Sequence, residues 1–122
     1  MNNERILNPL LKILRADECA QLVQDAVFTG APVDIQDGFI HLSAPHQAQE
    51  TAAKHFAGAE GLWLAAVEAS LLGESLHWEE SRGGDLFPHL YRELRAADLL
   101  WIRPLPLSED GRHIFPQEAL GA

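Results

Sequence analysis

A chain of 122 residues is long enough for one compact domain with one core and too short for two. Nine Lys and Arg against eighteen Asp and Glu leave a net charge of −9, a surface that repels phosphate backbones and argues against nucleic acid as a partner. Apolar residues make up 47 % of the chain, yet no run approaches the roughly 18 consecutive apolar residues of a membrane span.

Glu4, Arg5, Asn8, Pro9, Lys12 and Arg15 interrupt the N-terminal apolar residues, so they lack the form of a secretory signal. Cys19 is the only cysteine, which excludes an internal disulfide and a cysteine-rich zinc site. These features predict a soluble protein of the reducing cytoplasm, with no membrane association. Nothing in the sequence marks an oligomer interface.

The first predicted element is a strand over Leu10 to Leu14. From Asp17 onward Cys19, Leu22, Val23 and Ala26 follow the i, i+3, i+4, i+7 spacing of one buried helical stripe, and Gly30 and Pro32 stop that helix. The turn signal Asp37-Gly38 opens a strand, Gly38 to Ser43, with the sequence GFIHLS. A second helix is predicted from about Ala44 to Ala57. Pro45 fits its first turn, Ala48, Ala52 and Phe56 its inner face, Glu50 and Lys54 an i, i+4 ion pair, and Gly58 its end.

Leu62 to Val67 (LWLAAV) and Leu99 to Ile102 (LLWI) are continuous apolar runs, the pattern of strands buried on both faces. Between them, Leu76 to Glu80 and Leu86 to Leu90 read as a hairpin joined by Ser81-Arg82-Gly83-Gly84-Asp85. Prolines at 104, 106 and 116 predict irregular structure after Ile102 and a flexible tail from 117 to 122. Strands outnumber the two main helices and do not alternate with them, so the fold class is α+β in a single domain.

Side chains two apart on a strand share a face. Phe39, His41 and Ser43 therefore lie on one side of the Gly38 to Ser43 strand, Phe87, His89 and Tyr91 on one side of the later one, and His77 with Glu79 on the strand between. With Ile40, Leu42, Leu86 and Leu90 turned to the core, two stripes of aromatic, imidazole and hydroxyl groups line one groove, a setting for a flat heterocycle. An imidazole has an unperturbed pKa near ~6.5, so either histidine is a candidate acid or base near neutrality.

The same residues have structural readings. Ser43 can cap the following helix, and that helix N-terminus can receive a phosphate. Arg82-Gly83-Gly84 is a hairpin connection whose glycines also admit a close ligand and whose guanidinium suits a phosphate. Phe39 and Phe87 pack inside if the inward face is reversed, and Cys19 belongs to the core. His41, His46, Glu50, His77, Glu79 and His89 have no metal-ligand spacing, so no metal is expected. Nucleoside triphosphate, Rossmann and hydrolase-elbow motifs are absent from the sequence.

The blocks DGFIHLS at 37 to 43 and LHWEESRGGDLFPHLY at 76 to 91, with the intervening helix ending His55-Phe56, resemble a small, largely bacterial family, domain of unknown function 952. The resemblance runs from about Leu10 to about Pro116 and implies an ADP-ribosyltransferase-like fold. Such a fold is a split, bent sheet, mixed or antiparallel, that holds the nicotinamide end of NAD in a cleft between its halves. Related transferases place a glutamate on a late strand, where this chain has FPHLY and so His89.

The resemblance leads to an enzyme acting on NAD or an ADP-ribose derivative. Glu79, His89 and His41 are its catalytic candidates, and Phe39, His41, Ser43, Arg82, Phe87 and Tyr91 its ligand-binding candidates. A non-catalytic nucleotide-binding module of the same fold, and a hydrolase or isomerase using Glu79 and His89 as an acid–base pair on a small metabolite, are the alternatives.

Overall fold

The computed structural model describes residues 9–120, so the segment carrying Glu4, Arg5 and Asn8 lies outside the described residues. In chain order the elements are β1 (Leu10–Leu14), α1 (Ala16–Asp25), β2 (Val27–Phe28), α2 (Pro32–Asp37), β3 (Ile40–His41), α3 (Ala48–His55), β4 (Leu62–Val67), β5 (Leu76–Glu80), β6 (Leu86–Leu90), β7 (Leu94–Arg95) and β8 (Leu99–Leu105). The strands form two three-stranded sheets, β1-β4-β8 and β3-β6-β5, and a two-stranded ribbon, β2-β7. Every pairing among the described strands is antiparallel, so the parallel component of a mixed sheet is not found.

β4 is apolar at every position because it is covered twice. Leu62, Leu64 and Ala66 meet Leu11 and Ile13 of β1 and Ala48 and Ala52 of α3 in one core. Ala65 and Val67 point the other way, into a core with Leu10, Leu14, Leu22, Phe28, Leu90 and Leu94. The second apolar run behaves differently. β8 pairs only with β4, and as an edge strand it leaves Leu100 exposed and most of its length half-buried.

The two long helices are shorter than their patterns suggest, and a third lies where the sequence signals a stop. α1 ends at Asp25 because Ala26 turns left-handed (φ 64°), and β2 starts at once. Only Cys19 and Leu22 of its stripe are buried, and Val23 is 67 % exposed. Pro32 opens α2 instead of ending α1. Its fixed φ and missing N–H suit a first helical position, and the Asp34 carboxylate accepts from the Ala31 N–H at 2.8 Å.

Ser43 does not cap α3. Its backbone N–H and C=O both pair with Leu11, at 2.9 and 2.8 Å, which holds it in extended structure and ties the two large sheets together. A turn intervenes, closed by Gln47, whose side chain accepts from the Ala44 N–H and donates to the Leu86 carbonyl, and α3 begins at Ala48. The 76 to 90 hairpin forms as read, with His77 opposite His89. β8 continues past Ile102 to Leu105, and Gln117–Leu120 form a 3-10 turn that buries Ala119 completely and leaves Gln117 and Glu118 exposed. Residues 121 and 122 lie outside the described part. No helix among the described residues is long and apolar enough to cross a membrane.

The phase of α1 has a measurable consequence. Leu22→Ala, at 1 % exposure, is expected to cost about 3 kcal/mol in urea unfolding. Val23→Ala, its neighbour in the sequence stripe, is expected to cost under about 0.5 kcal/mol.

Candidate functional site

The sheet β3-β6-β5 has one apolar and one polar face. Ile40, Leu42 and Leu90 are buried on the core side, with Leu76 and Trp78 packed against them. Leu86 shares that parity but sits at the hairpin end and is 55 % exposed, not turned to the core. On the opposite face the register places His41 of β3, His89 of β6 and His77 of β5 abreast in one cross-strand row.

Rings fill this row. Phe39 stacks on His89 with centroids 4.0 Å apart and also meets His41 at 4.7 Å and Tyr91 at 5.3 Å. His41 approaches His89 edge-on at 5.5 Å, and Tyr91 approaches His77 in the same manner at 5.0 Å. Phe39, His41, His77, Glu79, His89 and Tyr91 thus form one cluster built from three separate stretches of chain.

Two carboxylates organise the imidazoles. Glu79 Oε1 accepts from His89 Nδ1 at 2.7 Å and from the Tyr91 hydroxyl at 2.8 Å, leaving Oε2 without a partner in the cluster. The bond from His89, then that from Tyr91, lowers the Glu79 pKa, and the same bond raises that of the Tyr91 phenol. Phe39 covers one face of His89 and Glu79 holds its Nδ1. Its Nε2 has no hydrogen-bond partner among the described residues. His89 as a whole is buried, at 5 % exposure, and no buried side-chain nitrogen or oxygen among the described residues is left unpaired.

His41 is held from behind. Its Nδ1 lies 2.6 Å from Asp34 Oδ1, and its own N–H donates to the same oxygen at 3.1 Å. Asp34 Oδ2 accepts from Lys12 Nζ at 3.0 Å, and Lys12 also donates to the His41 carbonyl at 3.0 Å. Burial pushes the Asp34 carboxyl up, but the bond to His41, the Lys12 charge and the N–H groups of Ala31 and His41 outweigh it and hold the pKa at about 2. Outside, Asp37 Oδ2 lies 3.0 Å from His41 Nε2.

Two sequence candidates fall away from the cluster. Ser43 shares the parity of Phe39 and His41, but its pairing with β1 carries it out of this sheet, and its buried hydroxyl lies 3.3 Å from that of Thr51. Phe87 lies on the right face, opposite Glu79, yet makes no ring contact with the cluster among the described residues. Residues Arg82–Gly84 form the short 3-10 hairpin connection, with left-handed Gly83 and Gly84. The Arg82 side chain lies outside what the structure describes.

Sequence reading missed Lys12, Asp34 and Asp37. A lysine inside the buried strand LLKIL is itself a signal, since a buried ammonium requires a partner. Pro32 followed by Asp34 is a helix-start pattern, whereas the sequence reading took Gly30 and Pro32 as a stop. Among the described residues, no three His, Cys, Asp or Glu side chains are arranged to hold a metal ion.

Residues 13–102 match the family model described as a protein of unknown function (DUF952). The crystal structure of protein CC0527 from Caulobacter crescentus is similar at a TM-score of 0.85 with 48 % identity, over 90 % of this chain and 96 % of that one. A double mutant of the same protein gives 0.84 and 46 % over the same shares, and its solution NMR structure gives 0.77 and 51 % over 85 % and 90 %. No curated protein matches the chain.

The buried pair predicts both a mutational and a pH effect. Asp34→Asn strands Lys12 in the interior and is expected to cost about 3 kcal/mol in denaturant unfolding. In the native protein the Asp34 pKa is depressed to about 2 from an ordinary 3.8. Its contribution, about 2 kcal/mol, is therefore complete above pH ~4 and lost as pH falls towards ~2. Asp34→Asn should abolish this part of the acid dependence. At the outer carboxylate, NMR titration should show His89→Ala raising the Glu79 pKa more than Tyr91→Phe does, because the imidazole is the stronger of its two partners.

Proposed function

The chain belongs to the DUF952 family, and from the geometry of its ring-lined face we propose that it is an enzyme acting on NAD or an ADP-ribose derivative. The observation that carries this reading is the Glu79 carboxylate, bound at one oxygen by His89 and Tyr91 and, among the described residues, unpartnered at the other. The ADP-ribosyltransferase-like resemblance calls for a carboxylate near a late strand, and β6 offers His89 there. Glu79 supplies the charge from the neighbouring strand, in direct contact with that histidine. The split pair of antiparallel sheets accords with the same fold class.

The chemistry follows from the two groups. Cleavage of the bond between nicotinamide and ribose leaves a cationic, oxocarbenium-like sugar, which an ionised carboxylate stabilises. Glu79 has a lowered pKa, so it is anionic at neutral pH. The bond between Glu79 and His89 Nδ1 leaves the Nε2 lone pair as the basic position of the ring when it is neutral. In the simplest turnover, nicotinamide leaves with the bonding electron pair, a water oxygen bonds to the sugar carbon, and the water proton passes to His89 Nε2. His41, fixed by Asp34, provides a rigid polar group beside it, and Tyr91 and Phe39 offer ring faces. The ligand is the nucleotide itself, and the reading requires no metal.

The alternative of a non-catalytic nucleotide-binding module has one observation in its favour. Phe39 lies flat against His89 and narrows access to that ring.

Nicotinamide release from NAD separates the two. The expected result is turnover that falls by at least about a hundredfold in a Glu79→Gln, His89→Ala double variant. No release above that variant, together with a melting temperature raised by NAD or ADP-ribose, would establish the binding module instead. Absence of both signals would remove the nucleotide reading and leave the small-metabolite alternative.

A further inference from the structure

Among the described residues, two edges of the three-stranded sheets are open to a further strand. The outer edge of β1 is occupied at Leu11, whose N–H and C=O both bond Ser43, and that of β3 at His41, whose N–H donates to Asp34. The edges of β5 and β8 remain. β5 carries Glu79 and Glu80, so pairing with its own kind would gather carboxylates of both copies in one ladder, on a chain whose net charge is already −9. β8, with the sequence LLWIRPL, has no acidic residue, and the Glu118 that reaches it is bonded to Arg103 at 3.1 Å.

Alternation along the sheet fixes what β8 presents outward. The N–H and C=O of one residue point to one side of its strand, and those of the next residue to the other. Leu11 bonds away from β4, so Leu10, Lys12 and Leu14 bond to Val67, Ala65 and Trp63, which leaves Leu62, Leu64 and Ala66 for Leu105, Arg103 and Trp101. The bond from the Glu68 N–H to the Asp98 carbonyl keeps the same phase. Ile102 and Pro104 therefore turn their main-chain groups away from β4. Those of Ile102 have no backbone partner among the described residues, and Pro104, which lacks an N–H, stands in the phase where the β4 ladder loses nothing. The flanks of β8 are also uncovered. Leu99 and Ile102 are half-buried against one core and Trp101 against the other, and Leu100 is 49 % exposed.

We infer that β8 is a homodimer interface, pairing antiparallel with β8 of a second copy about a two-fold axis at Ile102. Each Ile102 N–H then donates to the carbonyl of the partner's Ile102, Leu100 comes opposite the partner's Pro104, and Trp101 comes opposite the partner's Arg103. Within one copy the Arg103 guanidinium already stacks over the Trp101 ring at 4.3 Å, so the same two groups meet again across the axis. Centred on Pro104 the edge has no donor to give, and centred on Arg103 it sets like charges opposite each other. The pairing joins two three-stranded sheets into one of six strands and consumes the edge that made it, which closes the assembly at two copies. The ring cluster belongs to the other three-stranded sheet, and the pairing uses none of its residues.

Sedimentation velocity of the full chain, from about 1 to about 500 µM, is expected to show a reversible dimer with a dissociation constant in the micromolar range, as for a small interface. Leu100→Lys, a change at an exposed position, should raise that constant at least about tenfold, because a charge on an edge strand opposes pairing. Glu80→Lys, on the β5 edge, should leave it within about threefold. Oxidised glutathione tests the register. Ile102→Cys is expected to form an intermolecular disulfide, its two Cα atoms lying about 5.5 Å apart across the axis. Pro104→Cys should not, since the same register sets its two copies about 14 Å apart along the strands. Cys19 is buried, and the native chain is the control. The inference is overturned if the native chain stays monomeric throughout, if Leu100→Lys leaves the dimer intact, or if Glu80→Lys weakens it as much. It is equally overturned if Pro104→Cys cross-links as readily as Ile102→Cys. Should Ile102→Cys fail to fold, the exposed Leu100→Lys variant still decides the matter.

Discussion

Asp34 is a carboxylate 2 % exposed to solvent, and its four donors come from three parts of the chain: Lys12 on β1, the N–H of Ala31 at the start of α2, and the ring and N–H of His41 on β3. An ionised carboxylate is expensive to bury, and only a full set of donors makes its burial tolerable. Satisfying it therefore fixes the position of β1 relative to β3, the start of α2 and the orientation of the His41 ring in one arrangement. The site inherits its rigidity from this buried pair.

The second tie between the sheets is the pairing of Ser43 with Leu11. It explains why a serine that shares the parity of His41 takes no part in the ring face. The extended chain crosses from one sheet to the other within two residues, since Leu42 still donates to the Pro88 carbonyl while Ser43 already pairs with β1. A short strand that changes partners exchanges a potential site residue for a structural junction. The junction also seats Lys12 one residue beyond Leu11, close to Asp34, so the backbone tie and the ion pair reinforce each other.

The outer part of the site is organised by Glu79 in the way its inner part is organised by Asp34. Each carboxylate meets the Nδ1 of one histidine and aligns that ring beside Phe39. The difference is solvent. Asp34 is sealed and has four protein donors, whereas the Glu79 side chain is 41 % exposed and one of its oxygens has no partner among the described residues. That asymmetry makes Asp34 a positioning group and leaves Glu79 the more accessible of the two carboxylates.

Local patterning sufficed for β1, for the 76 to 90 hairpin and for the two-sided burial of β4, because short apolar runs and a Gly-rich turn each depend only on neighbouring residues. Parity in two short blocks was likewise enough to put Phe39 and His41, and His89 and Tyr91, on common faces. What it left open was which segments pair, and that rests on contacts between residues far apart in sequence. The edge position of β8, the exposure of Val23, the release of Ser43 to β1 and the packing of Ala119 all depend on which neighbours arrive. So does the role of Asp34, whose partner Lys12 lies 22 residues away and whose charge is tolerable only once β1, α2 and β3 have closed around it. Sequence thus determined the chemical inventory and the local faces, and the tertiary structure alone decided which buried charge would hold them together.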